Sequence, residues 1–261
     1  MKKTIAFLST VFTVVYSCVC AEIIETNSIC RIREYITPES LVIFDIDNTL
    51  MEPSQTLGND QWFYHRLKQH KAAGMNAEDA LEKSLAEWYA VQNVTKVRLV
   101  EPCAADLIQS LQKDNYTVMG LTTRGLGLCR TTIYQLKSLG INLGVTAPTH
   151  EEFHFMNCKG VLFRQGILFT AGSNKGKALA KLLHRIGKQP KNIVFINDKA
   201  THLREVEEVC EQYNVPFIGL RYGFLDATVA AFNPEIADIQ FEAFGQILSD
   251  EEAAHLLNLR S

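Results

Sequence analysis

Short apolar runs rich in β-branched residues alternate along the chain with longer stretches in which apolar positions recur every three or four residues. The first pattern predicts buried strands and the second predicts amphipathic helices. Their alternation indicates a three-layer α/β fold, a parallel sheet with helices on both faces. The predicted strands are 41–44, 116–121, 192–196 and 215–220, with a weaker one at 142–146, and the predicted helices are 104–114, 129–140, 176–187 and 202–213.

Two segments interrupt this alternation. Between about residues 56 and 100 the pattern predicts two amphipathic helices with no strand between them, as expected for a helical insertion beside the sheet. The stretch 158–172 predicts a β-hairpin that turns at residues 164–166. Near the C-terminus, Ser249 followed by DEEAAHLL predicts a capped final helix with acidic residues in its first turn.

The N-terminus has the pattern of a secretory signal peptide. A lysine pair at positions 2–3 precedes an apolar run that ends near Tyr16, and small residues follow. We therefore expect residues 1–20 to be removed and the mature chain, 21–261, to be exported from a bacterium to the periplasm or the medium. The sequence VYSC ending at Cys18 leaves open a lipid-anchored form. An uncleaved N-terminal anchor is a further alternative. No later segment is apolar enough to cross a membrane.

Composition and charge narrow the class of partner. The chain of 261 residues is 47% hydrophobic and 21% charged, as is usual for globular proteins. Its formal charge is −3 and it has no long run of lysine or arginine. The sequence therefore argues against a nucleic-acid partner and favours a small molecule.

Seven cysteines are spread along the chain, and five of them lie beyond the predicted signal peptide. No two are spaced as in a CxxC motif, and the odd number leaves at least one thiol free or bridged to another molecule. Most are expected to be small buried hydrophobic residues. The spacing points to no specific disulfide.

The stretch LVIFDIDNTL, residues 41–50, places two carboxylates at the end of an apolar strand. Residues two apart in an extended chain face the same side, so Asp45 and Asp47 are expected to share one cavity. At about 5 Å and an effective dielectric constant of about 20, two carboxylates repel each other by about 3 kcal/mol. A bound cation would offset that repulsion.

Ligands of open parallel sheets collect beyond the carboxyl ends of the strands, and groups that suit a phosphoryl ligand and a divalent metal stand there. They are Thr122, Thr123 and Arg124 after the second predicted strand, Asn197, Asp198 and Lys199 after the third, and Lys175 at the start of the helix between them. In this order, with DIDNT after the first strand, the residues resemble the haloacid dehalogenase (HAD) superfamily of phosphatases. More closely, the WF insertion, LTTRG and GILFT resemble a small exported bacterial branch of it.

The resemblance implies a Rossmann-like parallel sheet of the HAD type with the insertion as a small helical cap. It also implies Mg²⁺-dependent hydrolysis of a small phosphorylated substrate, a phosphomonoester, through an aspartyl-phosphate. Asp45 would attack phosphorus, and Asp47 would protonate the leaving oxygen and later activate water. Thr122 would bind the phosphoryl oxygens, and Lys175 would stabilise the nucleophile, with Lys177 as the alternative amine.

The ligands of Mg²⁺ implied by the resemblance are a carboxylate oxygen of Asp45, the main-chain carbonyl of Asp47 and the acidic site at Asp198, with Asn197 beside it. Asn197 stands where many relatives have an acid, and His202 where an Asp or Asn often supports the metal. Fewer negative charges predict weaker Mg²⁺ binding. They also leave open a binding or effector protein that has kept the fold and lost turnover.

The sequence HEEFH, residues 150–154, matches the HExxH pattern of zinc peptidases. Pro148 stands just before it and a strand-like stretch follows, which leaves room for barely two helical turns. No third zinc ligand is evident. A zinc peptidase is therefore the least favoured alternative.

Overall fold

The computed structural model describes residues 21–243 and 248–260. The predicted signal peptide, residues 1–20, lies outside the described residues. Within the described ranges no helix is both long and apolar enough to span a membrane.

A mostly parallel β-sheet forms the middle layer of the fold. The strands of the described residues are β1 (Ala21–Thr26), β2 (Ser40–Phe44), β3 (Met51–Pro53), β4 (Val97–Leu99), β5 (Thr117–Thr122), β6 (Phe153–Asn157), β7 (Lys159–Arg164), β8 (Ile167–Phe169), β9 (Asn192–Asn197) and β10 (Phe217–Tyr222). All except β3 and β4 form one sheet, in the order β1-β10-β9-β2-β5-β8-β7-β6. The strands from β1 to β8 in this order run parallel, and β7 and β6 continue the sheet antiparallel.

Helices cover both faces of this sheet. Within the described residues they are α1 (Asp60–Ala72), α2 (Ala77–Val94), α3 (Ala104–Lys113), α4 (Cys129–Ser138), α5 (Lys175–Arg185), α6 (Ala200–Gln212), α7 (Asp226–Ala230), α8 (Pro234–Glu242) and α9 (Asp250–Arg260). Short 3₁₀ helices at Ile29–Glu34 and Leu126–Leu128 complete the set.

Strand β2 lies inside the sheet and supplies both hydrophobic cores. Val42 and Phe44 belong to the core beneath α3 and α4, whereas Leu41 and Ile43 belong to the core beneath α5 and α6. All residues of β2 are buried, as expected for a parallel strand that is covered on both faces. The predicted three-layer α/β fold with a parallel sheet is confirmed.

The antiparallel pair β3 and β4 carries the chain away from the sheet and back. Between these strands the chain forms α1 and α2, which we call the cap helices, in the region 56–100 where the pattern predicts an insertion. Their small core contains Trp62, Trp88 and Val91. The ring centroids of Trp62 and Phe241 of α8 are 5.1 Å apart, so the C-terminal helices support the cap helices.

The weak strand predicted at 142–146 is wrong. Asn142 Oδ1 accepts the Gly144 N–H at 3.1 Å, which folds this segment into a turn. The place beside β5 is taken by β8, the second strand of the hairpin predicted at 158–172, which is confirmed. The predicted cap of the last helix is confirmed as well, because Ser249 Oγ accepts the Glu252 N–H at 3.2 Å.

Gly176 lies in the first turn of α5, where this helix touches α6. A Cβ atom at Gly176 would lie 1.8 Å from the Glu205 carbonyl oxygen. Gly176→Ala is therefore expected to push the two helices apart and to lower the free energy of unfolding by about 1–3 kcal/mol or more, as measured by urea denaturation. The matched control is Lys177→Ala, at an exposed position of the same helix. Equal stability of Gly176→Ala and wild type would contradict the close approach.

Candidate active site

The predicted site residues meet at the carboxyl end of the parallel sheet. Because β2 lies between β5 and β9, the residues that follow these three strands come to the same edge. They are Asp45 and Asp47 after β2, Thr122 at the end of β5, and Asn197 and Asp198 at the end of β9. The fold thus joins residues from distant parts of the chain.

Asp45 forms a buried ion pair with Lys175. Lys175 Nζ lies 2.8 Å from Asp45 Oδ1, and the Lys175 side chain has no exposed surface. The same carboxylate oxygen accepts the Ile46 N–H at 2.8 Å. A buried ammonium needs an opposite charge beside it, so the pair fixes both side chains. Lys177, the alternative amine, is exposed on α5, so Lys175 is the lysine that the fold brings to Asp45.

Asp45 and Asp198 both lie in surroundings that disfavour negative charge. Burial raises the pKa of Asp45; the charge of Lys175 opposes this rise, and that of Asp47 adds to it. Burial and the charge of Asp45 raise the pKa of Asp198 to about 7. A cation near these carboxylates would favour their ionised forms. Two carboxylates and the Asp47 carbonyl form an oxygen-only donor set of the kind that Mg²⁺ prefers, and the assignment of these ligands stays a prediction.

Asn197 and His202 contact each other beside this group. Asn197 Oδ1 accepts the Lys199 N–H at 2.8 Å, and Asn197 Nδ2 lies 3.4 Å from His202 Nδ1. Burial and the charges of Lys175 and Lys199 lower the pKa of His202 to about 2, so its ring is neutral near pH 7. The amide oxygen of Asn197 is thus engaged by the main chain. The oxygen keeps a second lone pair, so the metal ligation predicted for Asn197 stays a prediction.

Thr122 lies at the end of β5 and is completely buried. Its carbonyl oxygen accepts the Thr170 N–H at 2.9 Å, which fixes the strand end. Thr122 Oγ1 accepts the Arg124 N–H at 3.1 Å. A hydroxyl that accepts one hydrogen bond keeps its own proton for donation, as binding of a phosphoryl oxygen would require.

The closest partner of Asp47 is Arg124, which the sequence pattern places at this edge of the sheet without pairing it with a carboxylate. Arg124 Nε lies 2.9 Å from Asp47 Oδ2, and Arg124 Nη2 lies 2.7 Å from Asp47 Oδ1. The other N–H groups of Arg124 donate to Gln92 at 2.9 Å, Thr132 at 3.0 Å and Gln135 at 2.8 Å. Every N–H of the guanidinium has a partner. The network joins the DIDNT segment to α2 and α4.

This contact changes what Asp47 can do. A carboxylate in a two-point ion pair accepts hydrogen bonds, whereas a general acid must donate a proton. Asp47 must therefore leave Arg124, or share it with the leaving oxygen, before it can act as predicted. The available clue in the sequence was an arginine two residues after Thr122, at a strand end that faces the carboxylates.

A cavity of about 440 Å³ opens beside Asp47 and Arg124. The cap helices line one side with Phe63, Tyr64, Leu81, Leu85, Trp88 and Tyr89, and the core supplies Thr123, Gly125, Lys159, Ala171, Gly172, Lys199 and His202. Asp45, Thr122 and Lys175 are buried and do not line this cavity, whereas their chain neighbours Thr123 and Arg124 do. Cavities of about 310 Å³ between α5 and α6 and about 520 Å³ beside α7 contain none of the predicted site residues.

The HEEFH segment does not form the helix that a zinc peptidase site needs. His154 lies in β6 and pairs with Leu162 of β7, whereas His150 precedes the strand. Strand pairing overrides the helical spacing, so the two histidines share no helix face. In the described part of the chain no three His, Cys, Asp or Glu side chains are placed to hold a metal. The zinc peptidase alternative is therefore wrong; the predicted Mg²⁺ site differs in kind, since it uses two carboxylates and a carbonyl.

The chain belongs to the family described as Protein of unknown function (DUF2608), whose model matches residues 25–254. A Chlamydia muridarum protein named provisionally as an outer membrane protein is 29% identical over 219 residues, which cover 84% of this chain and 82% of that protein. An uncharacterized protein of Rickettsia prowazekii is 26% identical over 249 residues, which cover 90% of this chain and 89% of that protein.

Solved structures similar to the chain include hydrolases of the HAD superfamily. A hydrolase of subfamily IA, variant 1, from Geobacter sulfurreducens covers 73% of this chain and 95% of its own, at 13% identity and a TM-score of 0.40. A hydrolase from Pseudomonas syringae covers 74% of this chain and 98% of its own, at 15% identity and a TM-score of 0.43. At this sequence identity, the similarity assigns no role to any residue of this chain.

We expect Arg124→Ala to destabilise the protein, because it removes the buried partner of Asp47. Losing one member of a buried ion pair costs about 3–5 kcal/mol, and we expect the lower end because the Asp47 side chain is 19% exposed. Urea denaturation measures the loss, with Arg130→Ala, at an exposed position of α4, as the control. The double variant Asp47→Ala/Arg124→Ala should be less destabilised than the two single changes predict together. Strict additivity would show that the pair is not coupled.

Proposed function

We propose that the protein is a Mg²⁺-dependent phosphomonoester hydrolase that acts on a small phosphorylated substrate through an aspartyl-phosphate on Asp45. The observation that carries the proposal is the buried contact of 2.8 Å between Asp45 and Lys175 at the edge where the parallel strands end. Asp47 and Thr122 stand at the same edge. Together these groups offer a nucleophile, a charge that positions it, an acid–base carboxylate and a hydroxyl donor.

The contacts of Asp45 suggest which of its oxygens reacts. Lys175 Nζ and the Ile46 N–H both contact Oδ1, which leaves Oδ2 to attack phosphorus. The bond from Asp45 to phosphorus forms as the ester bond breaks, and the leaving oxygen takes a proton from Asp47. Water then gives a proton to Asp47 and attacks phosphorus, which releases phosphate and restores Asp45. Thr122 donates its hydroxyl to a phosphoryl oxygen.

Asp45, Asp198 and the Asp47 carbonyl would hold the Mg²⁺ ion. When bound, Mg²⁺ would neutralise charge on the phosphoryl group and on the carboxylates. The surroundings of Asp198 support this assignment, because burial and repulsion by Asp45 both raise the pKa of Asp198. The charges of Lys199 and Lys175 oppose this rise only in part.

An exported location fits this proposal. The N-terminal pattern of a signal peptide supports export to the periplasm or the medium, with a lipid-anchored form as the alternative. Chlamydial relatives that are named provisionally as outer membrane proteins are consistent with export. The substrate would then be a phosphate ester met outside the cytoplasm.

A second candidate is a binding or effector protein that has lost turnover. The observation that favours it is the two-point contact of Arg124 with Asp47, at 2.9 and 2.7 Å, which occupies both oxygens of the predicted acid. Asn197 points the same way, because an amide at the end of β9 adds no negative charge that would hold a metal ion. Such a protein would bind a phosphate ester and release it unchanged.

The wild-type protein is expected to release phosphate from a general aryl phosphate with Mg²⁺ and to stop when the metal is chelated. Asp45→Asn keeps the side chain's shape and removes the nucleophile, so turnover should fall by about 1,000-fold or more. Asp226→Asn, an exposed carboxylate on α7, is the control and should leave turnover unchanged. Undiminished turnover in Asp45→Asn would overturn the mechanism. Phosphate binding without turnover in the wild type would favour the second candidate.

A further inference from the structure

The cap helices present an apolar face to the cavity beside Asp47. Beside Asp60, six of their apolar or aromatic side chains line it: Phe63, Tyr64, Leu81, Leu85, Trp88 and Tyr89. Tyr64 is 57% exposed and Leu81 is 36% exposed. Proteins seldom gather exposed apolar side chains in a concave place unless a ligand or partner covers them.

Tyr89 holds this face against the loop that follows β5. A Cβ atom at Gly125 would lie 2.0 Å from the Tyr89 hydroxyl oxygen, so the glycine leaves room for the tyrosine. Arg124 Cζ lies 5.6 Å from the centroid of the Trp88 ring. The apolar face and the Asp47–Arg124 pair therefore bound one cavity.

Trp88 carries a hydrogen-bond donor without an acceptor. Its side chain is 7% exposed, and Nε1 has no hydrogen-bond partner among the residues that the structure describes. A buried N–H without a partner is unfavourable. Because Nε1 has almost no accessible surface, Trp88 would contact a ligand in the cavity through its other atoms, and the ligand needs no acceptor for this N–H.

The charged groups of the cavity suit an anionic substrate. Arg124 is paired with Asp47, and Lys199 is paired with Asp60. Lys159 also lines the cavity and forms no salt bridge with a described residue. Its ammonium is therefore the cation most accessible to an incoming phosphate.

We propose that this cavity binds an aromatic leaving group, so that the preferred substrates are phosphomonoesters with a planar ring close to the ester oxygen. The inference rests on the proposed hydrolase function. The phosphoryl group reaches Asp45 at the strand ends, while the ring lies between the cap helices and the Asp47–Arg124 pair. A volume of about 440 Å³ is within the range of pockets that enclose small ligands.

Benzyl phosphate and ethyl phosphate test the cavity, because their leaving alcohols have similar acidity and differ in the ring. With Mg²⁺, kcat/KM for benzyl phosphate is expected to exceed that for ethyl phosphate by about tenfold or more. Tyr64→Ala should reduce this preference by about threefold to tenfold. The control is Tyr134→Ala, a tyrosine of α4 that is 75% exposed and does not line the cavity.

Benzylphosphonate and ethylphosphonate, which have no ester bond to hydrolyse, separate this inference from the proposed function. Tighter binding of the ring compound, reduced in Tyr64→Ala and unchanged in Tyr134→Ala, supports the cavity even when no ester is hydrolysed. Equal kcat/KM and equal binding with and without the ring would overturn it and leave the hydrolase standing. A ring preference that Tyr64→Ala leaves intact would overturn it too.

A different observation concerns two cysteines outside this cavity. Cys30 lies in the 3₁₀ helix Ile29–Glu34, and Cys103 stands directly before α3. Their Sγ atoms are 3.1 Å apart. Glu101 holds the two segments together, because its carboxylate accepts both the Ile29 N–H and the Tyr222 hydroxyl. The two sulfur atoms are therefore held in contact by the fold.

We infer that Cys30 and Cys103 form a disulfide bond in the exported protein. Each thiol loses its proton, the sulfur–sulfur bond forms, and the two electrons pass to a disulfide oxidant by thiol–disulfide exchange. Oxidising compartments outside the cytoplasm supply such oxidants. The bond would tie the N-terminal segment to the chain that returns from the cap helices through β4.

Alkylation mapping tests this bond on the full chain. The protein is equilibrated with oxidised and reduced glutathione, alkylated in denaturant and digested with trypsin, and the peptide 99–113 reports on Cys103, with a glutathione adduct of this peptide counted as an unpaired thiol. Cys103 is expected to be alkylated only after reduction. Cys30→Ser should make Cys103 reactive without reduction, whereas the control Cys158→Ser should not. Alkylation of Cys103 in the unreduced wild type, or its protection in Cys30→Ser, would overturn the pairing.

Discussion

The buried ion pair of Asp45 and Lys175 is the interaction on which the rest of the site depends. An ammonium without exposed surface is stable only beside an opposite charge, and the Nζ to Oδ1 contact of 2.8 Å provides it. Two features of the fold bring these residues together. Strand β2, inside the sheet, delivers Asp45 to the sheet edge, and the close approach of α5 to α6 at Gly176 sets the position of Lys175.

Most of the carboxylates around this pair have a cation of their own. Arg124 forms a salt bridge with Asp47, and Lys199 forms one with Asp60, so each of these two carboxylates has its own cation. Among the described residues the one side-chain donor to Asp198 is the Asn48 amide, at 3.3 Å, and the charges of Asp45 and Lys199 act on this carboxylate in opposite directions. Asp45 is paired with Lys175, whereas Asp198 forms no salt bridge with a described residue, and the proposed Mg²⁺ would be held by these two carboxylates. The cap helices then close the other side of the cavity with apolar side chains.

Much of this arrangement could be predicted from the sequence. The apolar runs that form β2, β5 and β9 are buried on both faces of the sheet. Continuous apolar runs of this length are typical of parallel strands covered on both sides. The polar residues at their ends then had to meet, because parallel strands share one carboxyl edge. The prediction failed at 142–146, where the side chain of Asn142 bonds to the main chain of Gly144 and folds a turn that β propensity does not reveal.

Contacts between distant residues could not be predicted in this way. Arg124 bonds to Gln92 of α2 and Gln135 of α4, and no local pattern relates these three positions. The same holds for Cys30 and Cys103, which lie 73 positions apart. The most direct test of the account is mass spectrometry of the Asp45 peptide after rapid acid quench during turnover of an aryl phosphate with Mg²⁺. The account predicts one phosphoryl group on Asp45. Phosphate release with the phosphoryl group on another residue, or on none, would contradict it.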